Sequence, residues 1–587
     1  MSKKYSLVCT ALKNTFPKKK NDPILFLGEW CLDYQTSEYY KNKQNVVCDY
    51  HWNNVKKFEK DADYLEVVYE FYLKIFSNFL NKYHSVNHSI RYWRILIGPW
   101  LKQFINLLFD RWQMINFVEK KYSIKNKIIL NIKNQNIIHD DIQIFHEEIQ
   151  NDYFNEVIYS DIIENFSIIN KKKINKLINN NLNKNKLLFA NKILYSVIKF
   201  YHLLVSFIFS NKYILIFSFL SLKSIIYFNF YLKQFPLFFT RNRSVQNFYT
   251  VDIDWNTRLS ALTVFSGSKF HKILNYMLIK YIPKSYLENF NKNDDCIEYK
   301  FLKNKKKVFI VGDIVTFDSF KKFIADSIEK NNSKLYLLQH GGCYFFAKKN
   351  YAQKHELKIC DRYLSYGKYK NRKVVSFTNT RVLGKKLSIN KNKSNILFIQ
   401  LNISKYFFSE ILSSTFSSRF IEYFNNQVIF VKNLKIKLRK ELIIKYASNN
   451  YHWQQDLRWK NYFPNIKINH GEKPLFKVLQ DVKICVVSYN GTSMLETLLL
   501  NVPTVIFWNL EIENLDKRGN YFINILKSAG IFHGSAKAAS NKINEIYSNV
   551  GEWWNSHKVQ DARKRFCDQY SAGGDYKNYK NLSYLIK

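Results

Sequence analysis

The sequence predicts an α/β protein with two Rossmann-like domains facing a cleft and helical insertions in the N-terminal one. Three observations carry this. Short β-branched runs alternate with helical stretches from Lys307 onward, the pattern of a parallel sheet. A polar link, Lys391-Asn392-Lys393-Ser394, precedes a fresh strand and sets a boundary near 390. This gives an N-terminal domain 1–390, with a variable insert at about 121–210, and a C-terminal domain 391–587. Two strand–turn–helix units, around 340 and 490, end their first strands in turns suited to ligand contact.

The most informative stretch is 481–508, DVKICVVSYNGTSMLETLLLNVPTVIFW. Val482 to Val487 is short, apolar and β-branched, as a strand buried on both faces needs. Ser488-Tyr489-Asn490-Gly491-Thr492 is a polar turn, and Met494 to Leu500 reads as a buried helix. Pro503 prevents its continuation, and Thr504 to Phe507 is the returning strand. Ligands of parallel βαβ units bind beyond the carboxyl ends of the strands. Here the helix begins with Gly491, Thr492 and Ser493. Its free N–H groups and positive end attract an anion, and two hydroxyls add donors. Glu496, one turn in, would repel phosphate, so its expected partner is a sugar hydroxyl or a ribose. A buried βαβ unit with a Thr/Ser cap is the plain structural alternative.

The second unit runs from the strand Lys307–Gly312 through a helix Asp318–Asn331 to the strand Leu335–Leu338. It closes on Gln339-His340-Gly341-Gly342. Gly341 and Gly342 let a ligand or another backbone come close. Histidine titrates near neutral pH, so His340 is a candidate to take a proton from a hydroxyl. A histidine bonded to a neighbouring loop is the alternative. Asp361 to Gly367, DRYLSYG, reads as a strand delivering Ser365 to the same pocket.

In residues 1–120, Ser6–Leu12, Ile24–Leu27 and Val46–Tyr50 read as strands that lead into polar or aromatic turns. Glu29 follows one strand and Gly28, a common place for a catalytic group, and His51 lies in the turn His51-Trp52-Asn53. Helices follow at 62–83 and 89–112, the second interrupted at Gly98-Pro99. Arg91 and Arg94, one turn apart, could clamp a carboxylate or phosphate; a solvated helix face is equally compatible. Residues 121–190 read as connecting helices or an insert. The apolar runs of 187–239 fall short of the ~20 residues a membrane span needs. Tyr213–Phe219 is expected as a buried strand and Leu222–Lys233 as the following helix, with a surface-lying membrane element as the alternative. Arg241 and Arg243 are candidate anion contacts. After residue 391, Tyr406–Asn425 is expected as a helix. Val428–Val431 is expected as a strand leading to Lys432, Lys437 and Arg439, and Glu441–Ala447 as a helix.

The 587 residues carry 90 Lys+Arg against 47 Asp+Glu, a formal charge of +43. The lysines are scattered among Asn, Ile, Phe and Tyr, all with A/T-rich codons, and form no arginine-dense face or RNA-binding motif. No specific nucleic-acid partner is expected. The aromatic content of 17% excludes a disordered chain. The eight cysteines form no CxxC or Cys/His spacing, so no metal site is expected. They fit a reducing compartment, and the N-terminus lacks the apolar core of a signal peptide.

The order of polar turn, Gly-Thr-Ser, Glu and small-Pro turn resembles the C-terminal domain of two-domain, GT-B type glycosyltransferases. Capsule and lipopolysaccharide transferases that use nucleotide-activated acidic sugars are the most similar of these. LFLGEWC, the HWN turn, RYWRILIGPWL and FDRW, with QHGG, LSYG and SYNGTSMLE, resemble a family of surface-carbohydrate transferases encoded near bacterial O-antigen and nonulosonic-acid genes. The likeness covers residues 1–120 and about 305–587. It implies a glycosyltransferase whose donor phosphate is held by the loop and helix start; with the residue reading above, the expected donor contacts are Ser488, Asn490, Gly491, Thr492, Ser493, Glu496, Gly341, Gly342 and Lys432. His340 and Glu29 become the expected catalytic residues, and Arg91, Arg94, His51 and Ser365 the substrate contacts. The expected donor is a nucleotide sugar, a CMP-linked nonulosonate by preference, with no further cofactor. The expected acceptor is a glycan or lipid-linked glycan. The expected location is the cytoplasm, with peripheral contact at the inner membrane face. Transfer of a phospho-polyol, or a noncatalytic glycan- or nucleotide-binding role, are the alternatives.

Overall fold

The computed structural model of the chain describes all residues except 1–2, 19–21, 42–43, 132–137, 175–196, 199, 203, 206–210, 217–218, 239–251, 261–266, 292–305, 315–316, 388–393, 410–415, 447–450, 511–514 and 574–578. Arg241 and Arg243 therefore lie outside the described residues.

Three parallel sheets follow one another along the chain. The first contains β1 (Tyr5–Val8), β2 (Ile24–Phe26), β3 (Val46–Val47), β4 (Ile124–Leu130) and β5 (Lys171–Ile174), in the order β3-β2-β1-β4-β5. The second contains β6 (Tyr213–Ile216), β7 (Val308–Val311), β8 (Lys334–Leu338), β9 (Arg362–Ser365) and β10 (Val374–Ser376), ordered sequentially from one edge to the other. The third contains β11 (Asn395–Ile399), β12 (Leu442–Lys445), β13 (Lys467–Asn469), β14 (Val482–Val487), β15 (Thr504–Phe507) and β16 (Phe532–His533), in the order β13-β12-β11-β14-β15-β16. The first and third have the doubly wound order, in which the chain reverses direction across the sheet and leaves a crevice at the reversal. In the third sheet that crevice lies between β11 and β14.

The α/β class with Rossmann-like sheets facing across a cleft stands. Residues before 390 hold two separate sheets, a division that periodicity did not reveal. Residues 124–174, read as part of an insert, supply β4, β5 and the helices Ile142–Glu148 and Asp152–Phe166 to the first sheet's domain. The reason is burial: Lys127 sits wholly inside β4 because Glu156 pairs with it at 2.5 Å, which disguises a core strand as a polar one.

The helices between β3 and β4 form a layer shared by the first two sheets. The expected break occurs at Gly98-Pro99, where the helix Ile90–Leu96 ends and Gly98–Lys121 begins with proline in its first turn. Space is tight here: a Cβ at 98 would stand 2.8 Å from the Tyr69 hydroxyl and 3.1 Å from the His355 ring, and both side chains would have to shift.

Three local expectations after residue 391 are overturned. The helix expected at Tyr406–Asn425 is not formed over 406–409 and begins at Arg419. Val428–Val431 belongs to the helix Arg419–Asn433, whose buried Phe420, Phe424, Val428 and Val431 recur at helical spacing. Leu442–Lys445, read as helix, is β12. Past β16 the chain returns to the second sheet. The helix His557–Tyr570 leads to Ala572, whose N–H donates to the Tyr366 carbonyl at 2.6 Å. The helix Tyr579–Ile586 then packs on Leu222–Tyr231, with Tyr579 and Ser224 hydroxyls 2.7 Å apart.

Candidate functional site

The turn after β8 is set by Gln339, whose buried amide spans two strand ends. Its Nε2 donates to Gly341 O at 2.8 Å, and its Oε1 accepts from Tyr366 N beyond β9 at 2.9 Å. This turn abuts the third domain. A Cβ on Gly342 would lie 2.3 Å from the Gly491 carbonyl carbon and 2.5 Å from Thr492 N. Gly342 is thus the close approach of one backbone to another, and Cys343 Sγ donates to Asn490 O at 3.1 Å beside it.

His340 projects half-buried from the same turn. Its Nε2 lies 3.1 Å from the Tyr344 hydroxyl, and its Nδ1 3.6 Å from Glu356 Oε1. Glu356 accepts from Tyr344 and Tyr363, each at 3.0 Å. Burial pushes its carboxyl up to about 8, against the pull of these two hydrogen bonds. His340 and Glu356 line a cavity of about 790 Å³ into which all three sheet domains contribute: Gln103 and His146 from the first, Asp313 and His355 from the second, and Phe408 and His452 from the third. Burial lowers His146 to about 4 and His355 to about 3, so both rings are neutral near pH 7.

A second cavity of about 640 Å³ lies at the carboxyl ends of β11, β14, β15 and β16, lined among others by Tyr423, Ser488, Tyr489, Trp508, Asn509 and Ser535. Ser488 Oγ lies 2.9 Å from the Tyr423 hydroxyl, and Tyr489 OH lies 2.9 Å from Ser493 Oγ. The Asn490 side chain is buried with neither amide atom bonded, a costly state that a ligand or water would relieve. The helix Thr492–Leu499 starts at Gly491, as expected. Glu496 is half-buried; burial raises its pKa, while Arg381 and Lys385 act to lower it.

The structure thus brings His340, Gly341, Gly342, Ser488, Asn490, Gly491, Thr492, Ser493 and Glu496 to one junction. It places the other candidates elsewhere. Glu29 starts a short 3₁₀ turn, its N–H donating to Ser418 Oγ at 2.9 Å, and it is not among the described residues lining either cavity. His51 is buried on Asp110 at 3.0 Å, and its pKa is lowered by burial. Arg91 donates to Ile359 O and Asp361, and Arg94 grips Glu70 with two bonds of 2.6 and 2.8 Å. Ser365 is buried and donates to Gly367 O. Lys432, now on a helix, is exposed over the Tyr462 ring.

Sequence reasoning passed over Tyr344, His146, His355, Glu356 and Asn509. One local signal existed: in the helix Tyr351–Ile359 the buried stripe Tyr351, Ala352, His355, Ile359 includes a histidine, with Glu356 beside it. Ionisable groups on a core-facing stripe mark functional candidates. Among the described residues no group of three or more His, Cys, Asp or Glu side chains is placed to hold a metal ion. No helix among them is long and apolar enough to cross a membrane.

Parallel sheets that meet at a cleft, with ligand-sized cavities at their carboxyl ends, define the class of α/β proteins that bind ligands across a domain junction. Within that class the chain belongs to the LIC12162 family of transferases, whose model matches residues 5–576. No curated protein matches its sequence. Solved structures with some likeness include a variant of the wall teichoic acid polymerase TagF soaked with CDPG, at 10% identity and TM-score 0.30, covering 51% of this chain and 82% of that one. MurG of Acinetobacter baumannii has 9% identity and TM-score 0.30, with coverage of 64% and 99%. The UDP-GlcNAc 2-epimerase of Neisseria meningitidis has 8% identity and TM-score 0.29, with coverage of 60% and 98%.

Proposed function

We propose that this transferase moves a sugar from a nucleotide-activated donor to a hydroxyl of a glycan or lipid-linked glycan in surface polysaccharide assembly. The apposition of Gly342 on Gly491 and Thr492 carries this reading, because it sets the histidine turn against the helix start. In this reading the nucleotide occupies the 640 Å³ cavity, with its phosphate toward Gly491, Thr492 and Ser493. The acceptor enters the 790 Å³ cavity. Its oxygen attacks the anomeric carbon as the bond from that carbon to the phosphate oxygen breaks. The hydroxyl proton passes to a ring nitrogen of His340, and the electron pair leaves with the phosphate. Arg381 and Lys385 beside Glu496 favour an acidic donor sugar, a CMP-linked nonulosonate by preference.

The test is turnover of a panel of nucleotide sugars by the purified chain. A general base contributes roughly 10²–10⁴-fold, so His340→Ala should lower kcat by at least ~100-fold while nucleotide affinity holds. Absence of turnover with every nucleotide sugar would leave the noncatalytic alternative.

The same reading extends to the membrane face. Leu222, Ile226, Phe230, Phe235 and Tyr584 are exposed on one patch, with the exposed Lys223, Lys233, Lys580 and Lys587 around them. The helices Leu222–Tyr231 and Tyr579–Ile586 carry no acidic residue. Apolar side chains within a basic rim match the surface of an anionic bilayer.

A further inference from the structure

A third hollow, of about 740 Å³, lies apart from both cavities described above. The helices Leu222–Tyr231 and Tyr579–Ile586 and the segment 233–236 wall it. Asn211 reaches it just before β6, at the amino end of a parallel sheet whose carboxyl end, after β8, carries His340. The hollow is therefore no part of the reacting cleft, and its size is that of a small-ligand pocket.

Three features of its lining together describe a ligand. Ile226, Phe230, Phe235 and Tyr584 are all exposed, so their apolar surface is open to a hydrocarbon chain. Lys233 and Lys580 have no ion-pair partner among the described residues, and Lys587 stands over the Tyr584 ring at 5.3 Å. No Asp or Glu is among the described lining residues. Cations so placed attract a phosphate.

Asn211 is the third feature. It is 4% exposed, its Nδ2 donates to Phe235 O at 2.7 Å, and its Oδ1 has no partner. That bond fixes the amide, so the oxygen facing a ligand can only accept. Neither a phosphodiester nor an acyl chain brings it a proton. A hydroxyl does, whereas an amine would meet the like charge of the lysines. Burial orders the three: the acceptor lies inside, and the lysines and apolar side chains lie outside.

We propose that this hollow takes one anionic phospholipid from the bilayer, head first. A hydroxyl of the head meets Asn211 Oδ1, the phosphate sits between Lys233 and Lys580, and the chains leave over Ile226 and Phe230. This rests on the reading of the surrounding face as membrane-binding, and goes past it, because a face that only adheres to a bilayer needs no hollow.

Titration of the full chain with dihexanoyl phosphatidylglycerol, kept below its micelle concentration, tests this by calorimetry. It should saturate at one lipid per chain. Dihexanoyl phosphatidylcholine, dihexanoyl phosphatidic acid and glycerol phosphate lack in turn the net charge, the head hydroxyls and the chains, and each should bind at least ~10-fold more weakly. Ile226→Trp, at an exposed wall position, fills the hollow yet keeps the face apolar. It should weaken phosphatidylglycerol at least ~10-fold and leave adsorption to phosphatidylglycerol–phosphatidylcholine vesicles unchanged. Asn211→Leu should bring phosphatidylglycerol down to the level of phosphatidic acid; if this buried change fails to fold, the comparison of lipids and Ile226→Trp still decide. No saturable binding, equal affinity for any of the three comparators, or unchanged binding in Ile226→Trp would overturn the proposal; equal binding of glycerol phosphate would mean a free-phosphate site. Vesicle adsorption without binding of the soluble lipid would sink this proposal alone. Soluble-lipid binding without vesicle adsorption would sink the membrane reading alone.

Discussion

At the scale of single residues, the proposed chemistry turns on the His340–Glu356 pair. A carboxyl raised to about 8 favours the protonated state in the folded protein, so the unfolded chain binds fewer protons between about pH 4.5 and 8. Stability from this group is therefore present at low pH and is lost as pH rises through that window, by up to ~1.4 kcal/mol per pH step. Glu356→Gln, neutral at every pH, should remove this loss. Thermal unfolding should then give a variant that gains on the wild type between pH 5 and 8. Below about pH 8 the protonated carboxyl places no charge beside the His340 ring, 3.6 Å away, so the acid limb of kcat/KM should stay in place in the variant. A limb displaced to lower pH would mean that Glu356 is ionised beside the histidine turn. The histidine was legible in sequence because its signal is local: a strand end followed by two glycines. Its partner was not, since Glu356 reaches it only after the chain has passed through Tyr344 and half a helix.

At the scale of elements, the turn after β8 and the start of Thr492–Leu499 work as one unit. Gly342→Ala places a methyl carbon 2.3 Å from backbone of the other loop, and backbone cannot rotate aside as a side chain can. The two loops must separate. Activity should fall by well over tenfold while circular dichroism stays at the wild-type value; a fully active variant would show that the contact has no part in catalysis. Both halves of this unit were read from sequence, since each lies in a βαβ repeat whose apolar strands and polar turns are distinct. The helix Arg419–Asn433 was misread because Val428 to Val431 alone looks like a strand. Only its register with Phe420 and Phe424 gives the helical period. The arginine pair at 91 and 94 had the spacing of an anion clamp, but Asp361 and Glu70, distant in sequence, already hold it.

At the scale of the whole molecule, the proposed site draws on all three sheets. The third supplies the cavity at its own strand ends, the second supplies the histidine, and the first closes the far wall of the larger cavity. The patch made by Leu222–Tyr231 and Tyr579–Ile586 belongs to this scale too, since it needs two segments far apart in the chain. Sedimentation with vesicles should find the protein on anionic bilayers and much less on neutral ones, with release as salt is raised. Phe230→Glu should reduce the bound fraction several-fold. Equal binding to neutral vesicles, or none to anionic ones, would remove the membrane assignment.

The returning C-terminal helices also govern how the protein is made. Ser224 and Tyr579 touch across 355 positions of chain. At roughly 5–20 residues per second of synthesis, Ser224 waits about 20–70 s for its partner. Through that interval Phe228 and Leu232 pack on the middle sheet but lack the cover of Tyr579, Leu582 and Ile586, and it is on this flank that a nascent-chain chaperone would act.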